Sequence, residues 1–273
     1  MGRFDGILIC TDLDGTLYKN DFTISEKNKE AIEYFKREGG SFTFITGRLP
    51  YYATDAFNAV QPNIPFGCIN GGGVYDGHKK KYIWTQELPL SSLELVRYID
   101  ERFSDIGIQL CGFDETFFAR DNSTTARFRI ATGIPHLTAD YNGFSTPLAK
   151  IIFCSDEGDK LTAVEKALRE HPMASEFDFI RSEKVFFEIL PLGVNKGLAL
   201  KKLFEHLGIS KNRTIAIGDY DNDVAMLRAA GCGIAVSNAS RAALLAADIV
   251  TVSNEEDAIA KVIGDLEKGL LVI

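Results

Sequence analysis

Short apolar runs alternate with amphipathic stretches along the N-terminal part of the chain. A helix is predicted to begin at the N-cap Ser25 and to continue to about Glu38, and a second helical stretch covers Tyr51–Val60. The apolar runs that predict buried strands are Ile7–Thr11, Phe42–Ile45 and Phe66–Ile69. This β-α-β-α-β order predicts right-handed crossovers and a parallel sheet.

The same alternation resumes in the C-terminal part of the chain. Asn195 is a predicted N-cap, and Gly208 ends the helix that Asn195 begins. The later strands and helices are predicted at Thr214–Ile217, Asp223–Ala230, Gly233–Val236, Ser237–Ala247, Ile249–Val252 and Glu256–Leu266. Together the two parts predict an α/β fold with a doubly wound, mostly parallel sheet.

The middle of the chain differs in composition, because aromatic and β-branched residues are more frequent there. Strands are predicted at Thr116–Arg120, Lys150–Cys154 and Val185–Leu190, and helices at Ser91–Phe103 and Asp159–Glu170. Residues 82–189 are therefore predicted to form an inserted α+β domain, and residues 1–81 with 190–273 the core domain.

Composition and charge narrow the classes of partner. The chain has 273 residues, of which 45% are hydrophobic, and a net charge of −8. The acidic balance argues against nucleic acid and against an anionic membrane surface as partners. No apolar run approaches the ~20 residues of a membrane helix, and the N-terminus lacks the apolar region of a signal peptide. We expect a soluble, cytoplasmic protein whose anionic ligand would need a bound cation.

The first candidate for chemistry is the run Asp12-Leu13-Asp14-Gly15-Thr16-Leu17, directly after a predicted strand. Positions i and i+2 of an extended chain point the same way, so both aspartates could face the space beyond the strand's carboxyl end. An Asp-Gly pair alone more often marks a surface turn. The complete run after a buried strand favours a functional site.

A second acidic run, Gly218-Asp219-Tyr220-Asp221-Asn222-Asp223, follows the predicted strand Thr214–Ile217. If the two strands are parallel neighbours, the side chains of Asp12, Asp14, Asp219 and Asp223 converge. Ligation by oxygen alone suits Mg²⁺. The alternative is a calcium loop, but here the glycine precedes the run and no glutamate closes it at the twelfth position.

Two further signals are consistent with phosphate binding at the same place. Thr46-Gly47-Arg48 follows another predicted strand, where Thr46 offers a hydroxyl and Gly47 permits close backbone approach. Lys196 lies at a helix N-terminus, which disfavours a cation unless an anion is near. Each signal alone is weak, and the default for Lys196 is a solvated surface lysine. Their shared position at strand ends and a helix start predicts a single crevice.

In this order, the runs resemble the haloacid dehalogenase superfamily of phosphohydrolases, in its Cof-type branch with a large C2-type cap. The motifs are Asp12–Leu17, Thr46–Arg48, Lys196 and Gly218–Met226, and Asn70-Gly71-Gly72 also fits. The resemblance implies a Rossmann-like core, with residues 82–189 as the cap that sets specificity. It also implies a Mg²⁺-dependent phosphatase that passes through an aspartyl-phosphate.

The resemblance assigns roles to individual residues. Asp12 would be the nucleophile and Asp14 the general acid and base. The metal set would be Asp12, the backbone carbonyl of Asp14, Asp219 and Asp223, with Asp223 as a ligand or a support. The phosphoryl oxygens would be held by Thr46, Gly47, Lys196, Asn222 and Arg48.

The substrates that the resemblance implies are small phosphorylated metabolites, namely sugar phosphates, pyridoxal phosphate and flavin mononucleotide. A sugar phosphomutase and a non-enzymatic phospho-acceptor module remain open as alternatives. The proton-shuttling Asp14 and the long insertion argue against the phospho-acceptor. The oligomeric state is left open. Candidate substrate contacts in the insertion are Phe113, Asp114, Glu115, Arg120, Arg127, Arg129 and Asn142.

Overall fold

The computed structural model describes residues 2–271 and 273 of the chain. It divides into two compact units, a core unit of Met1–Thr85 with Asn195–Ile273 and an inserted unit of Gln86–Val194. The unit boundaries follow residues 85 and 194, whereas the sequence predicted them after residues 81 and 189.

The strands and helices are numbered here in chain order. The strands are β1 (Leu8–Thr11), β2 (Ser41–Phe44), β3 (Phe66–Cys68), β4 (Gly73–Asp76), β5 (Lys81–Thr85), β6 (Gly107–Gly112), β7 (Thr116–Arg120), β8 (Leu137–Thr138), β9 (Leu148–Cys154), β10 (Phe177–Glu183), β11 (Phe186–Pro191), β12 (Thr214–Gly218), β13 (Cys232–Ala235) and β14 (Ile249–Val250). The helices are α1 (Glu26–Arg37), α2 (Thr54–Val60), α3 (Leu93–Asp100), α4 (Ser123–Thr132), α5 (Gly158–Arg169), α6 (Lys196–Leu207), α7 (Val224–Ala229), α8 (Arg241–Ala246) and α9 (Ala258–Glu267).

The core unit is built on a five-stranded parallel sheet with the order β14-β13-β12-β1-β2. Strand β1 lies between β12 and β2, and each of its residues is fully buried. The register pairs Thr11 with Ile217 of β12 and with Phe44 of β2, so the three strands end level with one another. The predicted α/β fold with a parallel core sheet is confirmed.

The prediction that Phe66–Ile69 is a third strand of the parallel sheet is wrong. Strand β3 shares only an isolated parallel bridge between Ile45 and Gly67 with the main sheet. It pairs antiparallel with β4, which pairs antiparallel with β5. The turn at Ile69–Gly71 reverses the chain here, with positive φ at all three residues. Because β5 belongs to this small sheet, a boundary after residue 81 would have divided a strand.

Two helices of the core unit begin and end as their local sequence predicts. The Ser25 hydroxyl accepts a hydrogen bond from the Asn28 amide and caps α1. The Asn195 side chain accepts from the Leu198 amide and caps α6, with a distance of 3.1 Å. Gly208, at φ +66°, ends α6 in the left-handed conformation that favours glycine.

The inserted unit has its own sheet and its own apolar core. The sheet order is β10-β11-β9-β6-β7-β8, antiparallel throughout except for the β7–β8 pair. Alternate residues of the strands share one buried cluster with apolar residues of α3 and α5. The sheet contributes Ile108, Leu110, Ile151, Phe153, Phe187 and Ile189, and the two helices contribute Leu95, Val96, Ile99, Leu161, Val164 and Leu168. The predicted α+β character of the insertion is confirmed.

Within residues 2–271 and 273, no helix combines the length and the apolar character that a membrane span requires.

Candidate active site

The two acidic runs meet at the carboxyl ends of neighbouring strands. Asp12 directly follows β1, and Asp219 directly follows β12. The Asp12 amide donates to the carbonyl of Ile217 at 2.8 Å, which extends the β1–β12 pairing to the nucleophile candidate. Ligands of open α/β sheets bind at this edge.

Three of the predicted carboxylates form one cluster. One oxygen from each of Asp12, Asp219 and Asp223 lies within 4.8 Å of the others. Asp12 is 5% exposed and Asp223 is fully buried, so their charges are poorly solvated. The Asp14 carboxylate is not in this cluster. Its predicted contribution was the backbone carbonyl, and that contribution stays a prediction.

Lys196 lies between two of these carboxylates. Its Nζ is 2.6 Å from Oδ1 of Asp12 and 2.6 Å from Oδ1 of Asp223. The lysine is only 1% exposed, so it is not the solvated surface lysine that was the default for a single lysine. Burial opposes its charge, but the two carboxylates outweigh burial and raise the pKa of Lys196.

The cluster carries more negative than positive charge. With all three carboxylates ionised, the cluster and the ammonium of Lys196 together would carry two net negative charges. Burial and the neighbouring charge of Asp223 raise the pKa of Asp12 well above its ordinary value. The same two causes raise the pKa of Asp219 to about 7.

The donor set fits a divalent, oxygen-preferring cation. Carboxylate oxygens with no nearby imidazole or thiolate ligand in the cluster suit Mg²⁺ better than a softer metal. Two uncompensated negative charges match the charge of such an ion. Asp12, Asp219 and Asp223 are the side chains that could hold it, while the identity of the metal remains part of the proposal below.

Gly15 and Thr16 connect the first acidic run to the second. The Thr16 hydroxyl donates to Oδ1 of Asp219 at 2.7 Å. Gly15 adopts φ +80°, and a Cβ atom at this position would lie 2.5 Å from Oδ2 of Asp219. The backbone of Gly15 therefore packs directly against Asp219, so the Asp-Gly sequence is part of the candidate site and does not form a solvated surface turn.

Asp14 is paired with Arg48. The guanidinium of Arg48 donates to both carboxylate oxygens of Asp14, with an Nε–Oδ2 distance of 2.9 Å. Arg48 also lies over the ring of Tyr18, with 5.2 Å from Cζ to the ring centroid. Sequence reasoning grouped Arg48 with the phosphate-binding residues. In the structure its partner is the candidate general acid.

Asp223 supports the loop that carries Asp219. Its Oδ2 accepts hydrogen bonds from the amides of Asp219 and Tyr220, at 2.9 and 3.0 Å. Its Oδ1 contacts Lys196. Asp223 thus orients both an acidic neighbour and the buried ammonium, which accounts for its complete burial.

The remaining predicted phosphate-binding residues also lie in the core unit. Thr46 is 1% exposed, and its Oγ1 accepts a hydrogen bond from the Arg48 amide at 3.2 Å. Asn222 is 8% exposed, and its Nδ2 donates to Oδ1 of Asn70 at 3.0 Å. A Cβ atom at Gly47 would lie 2.9 Å from the same Oδ1 of Asn70. Sequence reasoning included Asn70 in a motif but gave it no role.

The arginines proposed as substrate contacts in the inserted unit are engaged in ion pairs within that unit. Arg120 pairs with Asp100, Arg127 with Asp156 and Arg129 with Asp121. The sequence offers no short-range signal for such pairs, because their partners lie 8 to 29 residues away. Their role toward a substrate remains a prediction.

Comparison with known proteins gives consistent results along most of the chain. A family model described as haloacid dehalogenase-like hydrolase matches residues 9–263. The 5-amino-6-(5-phospho-D-ribitylamino)uracil phosphatase YitU of Bacillus subtilis (strain 168) is 28% identical over 93% of this chain and 95% of its own. The pyridoxal phosphate phosphatase YbhA of Escherichia coli (strain K12) is 27% identical over 94% of this chain and 97% of its own.

A solved structure supports the same assignment. A haloacid dehalogenase-like hydrolase from Bacteroides thetaiotaomicron superposes with a TM-score of 0.84 and 26% identity, covering 95% of this chain and 99% of that one. The predicted enzyme class, a phosphomonoester hydrolase, is confirmed by the family match and by relatives named as phosphatases. The chain belongs to the haloacid dehalogenase-like hydrolases.

Proposed function

We propose that this protein hydrolyses phosphomonoesters of small metabolites through an aspartyl-phosphate formed on Asp12, with Mg²⁺ as cofactor. The observation that carries the proposal is the buried cluster of Asp12, Asp219 and Asp223 around Lys196, at the ends of β1 and β12. Such a cluster holds a nucleophile, a cation and the ligands of a metal within reach of one phosphoryl group.

Asp12, Asp219 and Asp223, with the Asp14 carbonyl, would hold the metal. When bound, Mg²⁺ would neutralise the repulsion between an anionic carboxylate and an anionic phosphate. Lys196 adds a second positive charge, 2.6 Å from Oδ1 of Asp12. Both effects let a carboxylate approach phosphorus without a prohibitive electrostatic barrier.

The first step would transfer the phosphoryl group to Asp12. A carboxylate oxygen of Asp12 forms the new bond to phosphorus while the bond from phosphorus to the leaving oxygen breaks. Asp14 donates its proton to that oxygen, and the alcohol leaves. In the second step Asp14 takes a proton from water, the water oxygen attacks phosphorus, and the Asp12–phosphorus bond breaks to release inorganic phosphate.

The Arg48–Asp14 pair bears on the orientation of the proposed general acid. The guanidinium of Arg48 donates to both carboxylate oxygens of Asp14, and this bidentate geometry fixes the plane of the carboxyl group. Arg48 would thereby hold Asp14 in the direction from which it exchanges a proton with the leaving oxygen and with water.

The phosphoryl oxygens would be bound by residues from three segments of the core unit. Thr46 supplies a hydroxyl, Gly47 a backbone amide and Asn222 a carboxamide nitrogen. Lys196 supplies charge. The inserted unit is proposed as the domain that selects the leaving group, as the family resemblance implies.

The substrate class draws on the relatives. YitU is named for a phosphorylated ribitylamino-uracil, and YbhA for pyridoxal phosphate. Each name describes a phosphate ester attached to a nitrogen heterocycle. We therefore propose phosphorylated heterocyclic metabolites as the first substrates to test, with sugar phosphates and flavin mononucleotide beside them.

The test is a panel of these phosphate esters assayed for phosphate release with Mg²⁺ and with a chelator. We expect Asp12→Asn to abolish turnover, because a carboxamide is a poor nucleophile, and Asp14→Asn to slow it by about 10²–10⁴-fold through loss of proton transfer. Asp21→Asn, an exposed aspartate of the same unit, serves as the control and should retain full activity. Wild-type turnover by Asp12→Asn would refute the proposed nucleophile.

Product analysis separates the two alternatives that the sequence left open. A phosphomutase would convert a sugar phosphate into its isomer without net release of inorganic phosphate. A phospho-acceptor would accumulate a phosphorylated Asp12 that persists after the donor is removed. Rapid release of phosphate with a short-lived intermediate supports hydrolysis.

A further inference from the structure

The turn at Ile69–Gly71, called here the Asn70 turn, lies beside the residues that bind phosphate in the proposal above. Ile69 and Asn70 adopt left-handed conformations with φ of 58° and 50°, and Gly71 follows at 104°. Left-handed backbone is unfavourable for residues with a Cβ atom, and a β-branched residue such as Ile69 tolerates it least. Such strain persists only where surrounding contacts hold it in place.

The Asn70 turn is tied to the Thr46–Arg48 segment by its backbone. The Asn70 amide donates to the carbonyl of Thr46 at 3.1 Å, and the Ile69 amide donates to the carbonyl of Arg48 at 3.0 Å. These two hydrogen bonds enclose Gly47. A Cβ atom at Gly47 would lie 2.9 Å from Oδ1 and 3.1 Å from Nδ2 of Asn70. The Asn70 carboxamide therefore packs directly on the Gly47 backbone.

The Asn70 turn also packs on the start of α6. A Cβ atom at Gly71 would lie 1.9 Å from the carbonyl oxygen of Asn195 and 3.0 Å from the amide nitrogen of Lys196. Only glycine allows this approach. The position of the Lys196 backbone, from which the buried ammonium extends to Asp12, thus depends on the turn.

The third contact of the turn is to Asn222. Asn70 is fully buried, and its Oδ1 accepts one Nδ2 hydrogen of Asn222 at 3.0 Å, across 152 residues of chain. Asn70 therefore fixes the rotation of the Asn222 carboxamide. This bond uses one of the two Nδ2 hydrogens, and the second is the donor proposed for a phosphoryl oxygen.

We infer that Asn70 is a positioning residue that aligns the Gly47 amide, Lys196 and Asn222 for a single phosphoryl group. The inference rests on the proposed function, since it concerns the same phosphate. Asn70 acts through three other groups, which come from segments that are distant in sequence. These groups must agree in position to within a hydrogen-bond length to bind one phosphoryl group.

The test compares substitutions that separate the side chain of Asn70 from its backbone. Asn70→Gly keeps access to the left-handed conformation and removes the carboxamide, whereas Asn70→Asp keeps an acceptor oxygen for Asn222. Gln61→Gly is the matched control, because Gln61 is an exposed residue at φ 44° at the end of α2. Each variant is assayed for kcat/KM, for inhibition by orthovanadate and for thermal unfolding.

We expect Asn70→Gly to lower kcat/KM and to weaken orthovanadate inhibition by about tenfold each, the loss expected for one misaligned hydrogen-bonding group. Asn70→Asp should recover part of the loss, and Gln61→Gly should behave as wild type. In the Asn222→Ala background, Asn70→Gly should have a smaller effect than in the wild type. Unchanged orthovanadate inhibition in Asn70→Gly would overturn the inference. A double variant whose loss of kcat/KM equals the product of the losses in Asn70→Gly and Asn222→Ala would also overturn it.

A spectroscopic measurement keeps the inference testable without activity. The side-chain amide signal of Asn222, assigned by its loss in Asn222→Asp, should shift in isotope-labelled Asn70→Gly and should not shift in Gln61→Gly. An unmoved signal contradicts the inference. If the wild type releases phosphate from none of the panel substrates, the proposed function fails, and this signal still decides whether Asn70 orients Asn222.

Discussion

At the scale of single residues, Gly15 combines two requirements that usually occur apart. Its φ of +80° calls for a residue without a Cβ atom, and the carboxylate of Asp219 occupies the space where that atom would be. Gly208 meets only the first requirement, because a Cβ atom there would have nothing within 4 Å. Comparison of Gly15 with Gly208 therefore distinguishes the effect of backbone strain from the effect of contact with the acidic cluster.

We predict that Gly15→Ala and Gly208→Ala destabilise the fold by similar amounts, about 1–2 kcal/mol each, through left-handed backbone strain. Gly15→Ala should in addition displace Asp219 and raise the Mg²⁺ concentration for half-maximal activity by more than tenfold, whereas Gly208→Ala should leave it unchanged. Urea unfolding and Mg²⁺ titration of activity measure the two effects. Equal Mg²⁺ requirements in both variants would show that the Gly15–Asp219 contact does not matter.

Sequence reasoning identified the individual site residues better than it identified their partners. Asp12, Asp219, Asp223 and Lys196 were singled out by motif and position, and the structure brings them into one cluster. The pairing of Arg48 with Asp14 depends on side-chain directions in the folded chain, and spacing along the sequence does not reveal these directions.

At the scale of elements, the position of helix α6 determines where Lys196 lies, because Lys196 is its first residue. The N-cap hydrogen bond of Asn195 determines where that helix begins. The helix α1 begins in the same way at Ser25. The two caps are chemically alike, but only one of them precedes a residue of the candidate site.

We expect Asn195→Ala and Ser25→Ala each to lower the free energy of unfolding by about 1 kcal/mol, the usual cost of a lost N-cap. Only Asn195→Ala should also lower kcat/KM, by severalfold, because fraying of the first turn of α6 moves Lys196. Urea unfolding and steady-state kinetics on both variants test this expectation. A similar decrease of kcat/KM in Ser25→Ala would indicate a general effect of stability.

Strands were predicted correctly where an apolar run leads directly into a functional motif, as before Asp12 and Asp219. Strands and helices were missed where polar residues interrupt the apolar pattern. The strand β6 was missed because Gln109 and Cys111 interrupt its apolar residues, although all of its residues are buried. The helix α4 was missed because its apolar residues do not follow one face, and its capping box at Asn122 and Thr125 was the available signal. The β4–β5 hairpin was missed because exposed lysines surround its turn.

At the scale of the whole molecule, an acidic chain brings three carboxylates and one ammonium into one mostly buried cluster, which would carry two net negative charges when fully ionised. Removal of such charges from water is costly unless a cation accompanies them. Binding of a divalent ion to the folded state alone would offset this cost and stabilise the fold. The stabilisation would reach about 2.7 kcal/mol at a ligand concentration of 100 times Kd.

We predict that Mg²⁺ raises the unfolding temperature of the wild type by several degrees and has little effect on Asp219→Asn. The same variant without metal should be at least as stable as the wild type, because it removes one of the repelling charges. Differential scanning calorimetry in chelator and in excess Mg²⁺ provides the measurement. An equal Mg²⁺ response in both proteins would exclude Asp219 as a ligand.

The pairing of strand β1 with a strand that is distant in sequence has consequences for biosynthesis. Strand β1 pairs with β12, and 202 residues separate the last residue of the one from the first of the other. During translation, β1 leaves the ribosome long before its partner exists, and the inserted unit is synthesised in between. The acidic cluster joins Asp12 to Asp219 and Asp223, so it can form only after β12 and the run that follows it have been synthesised.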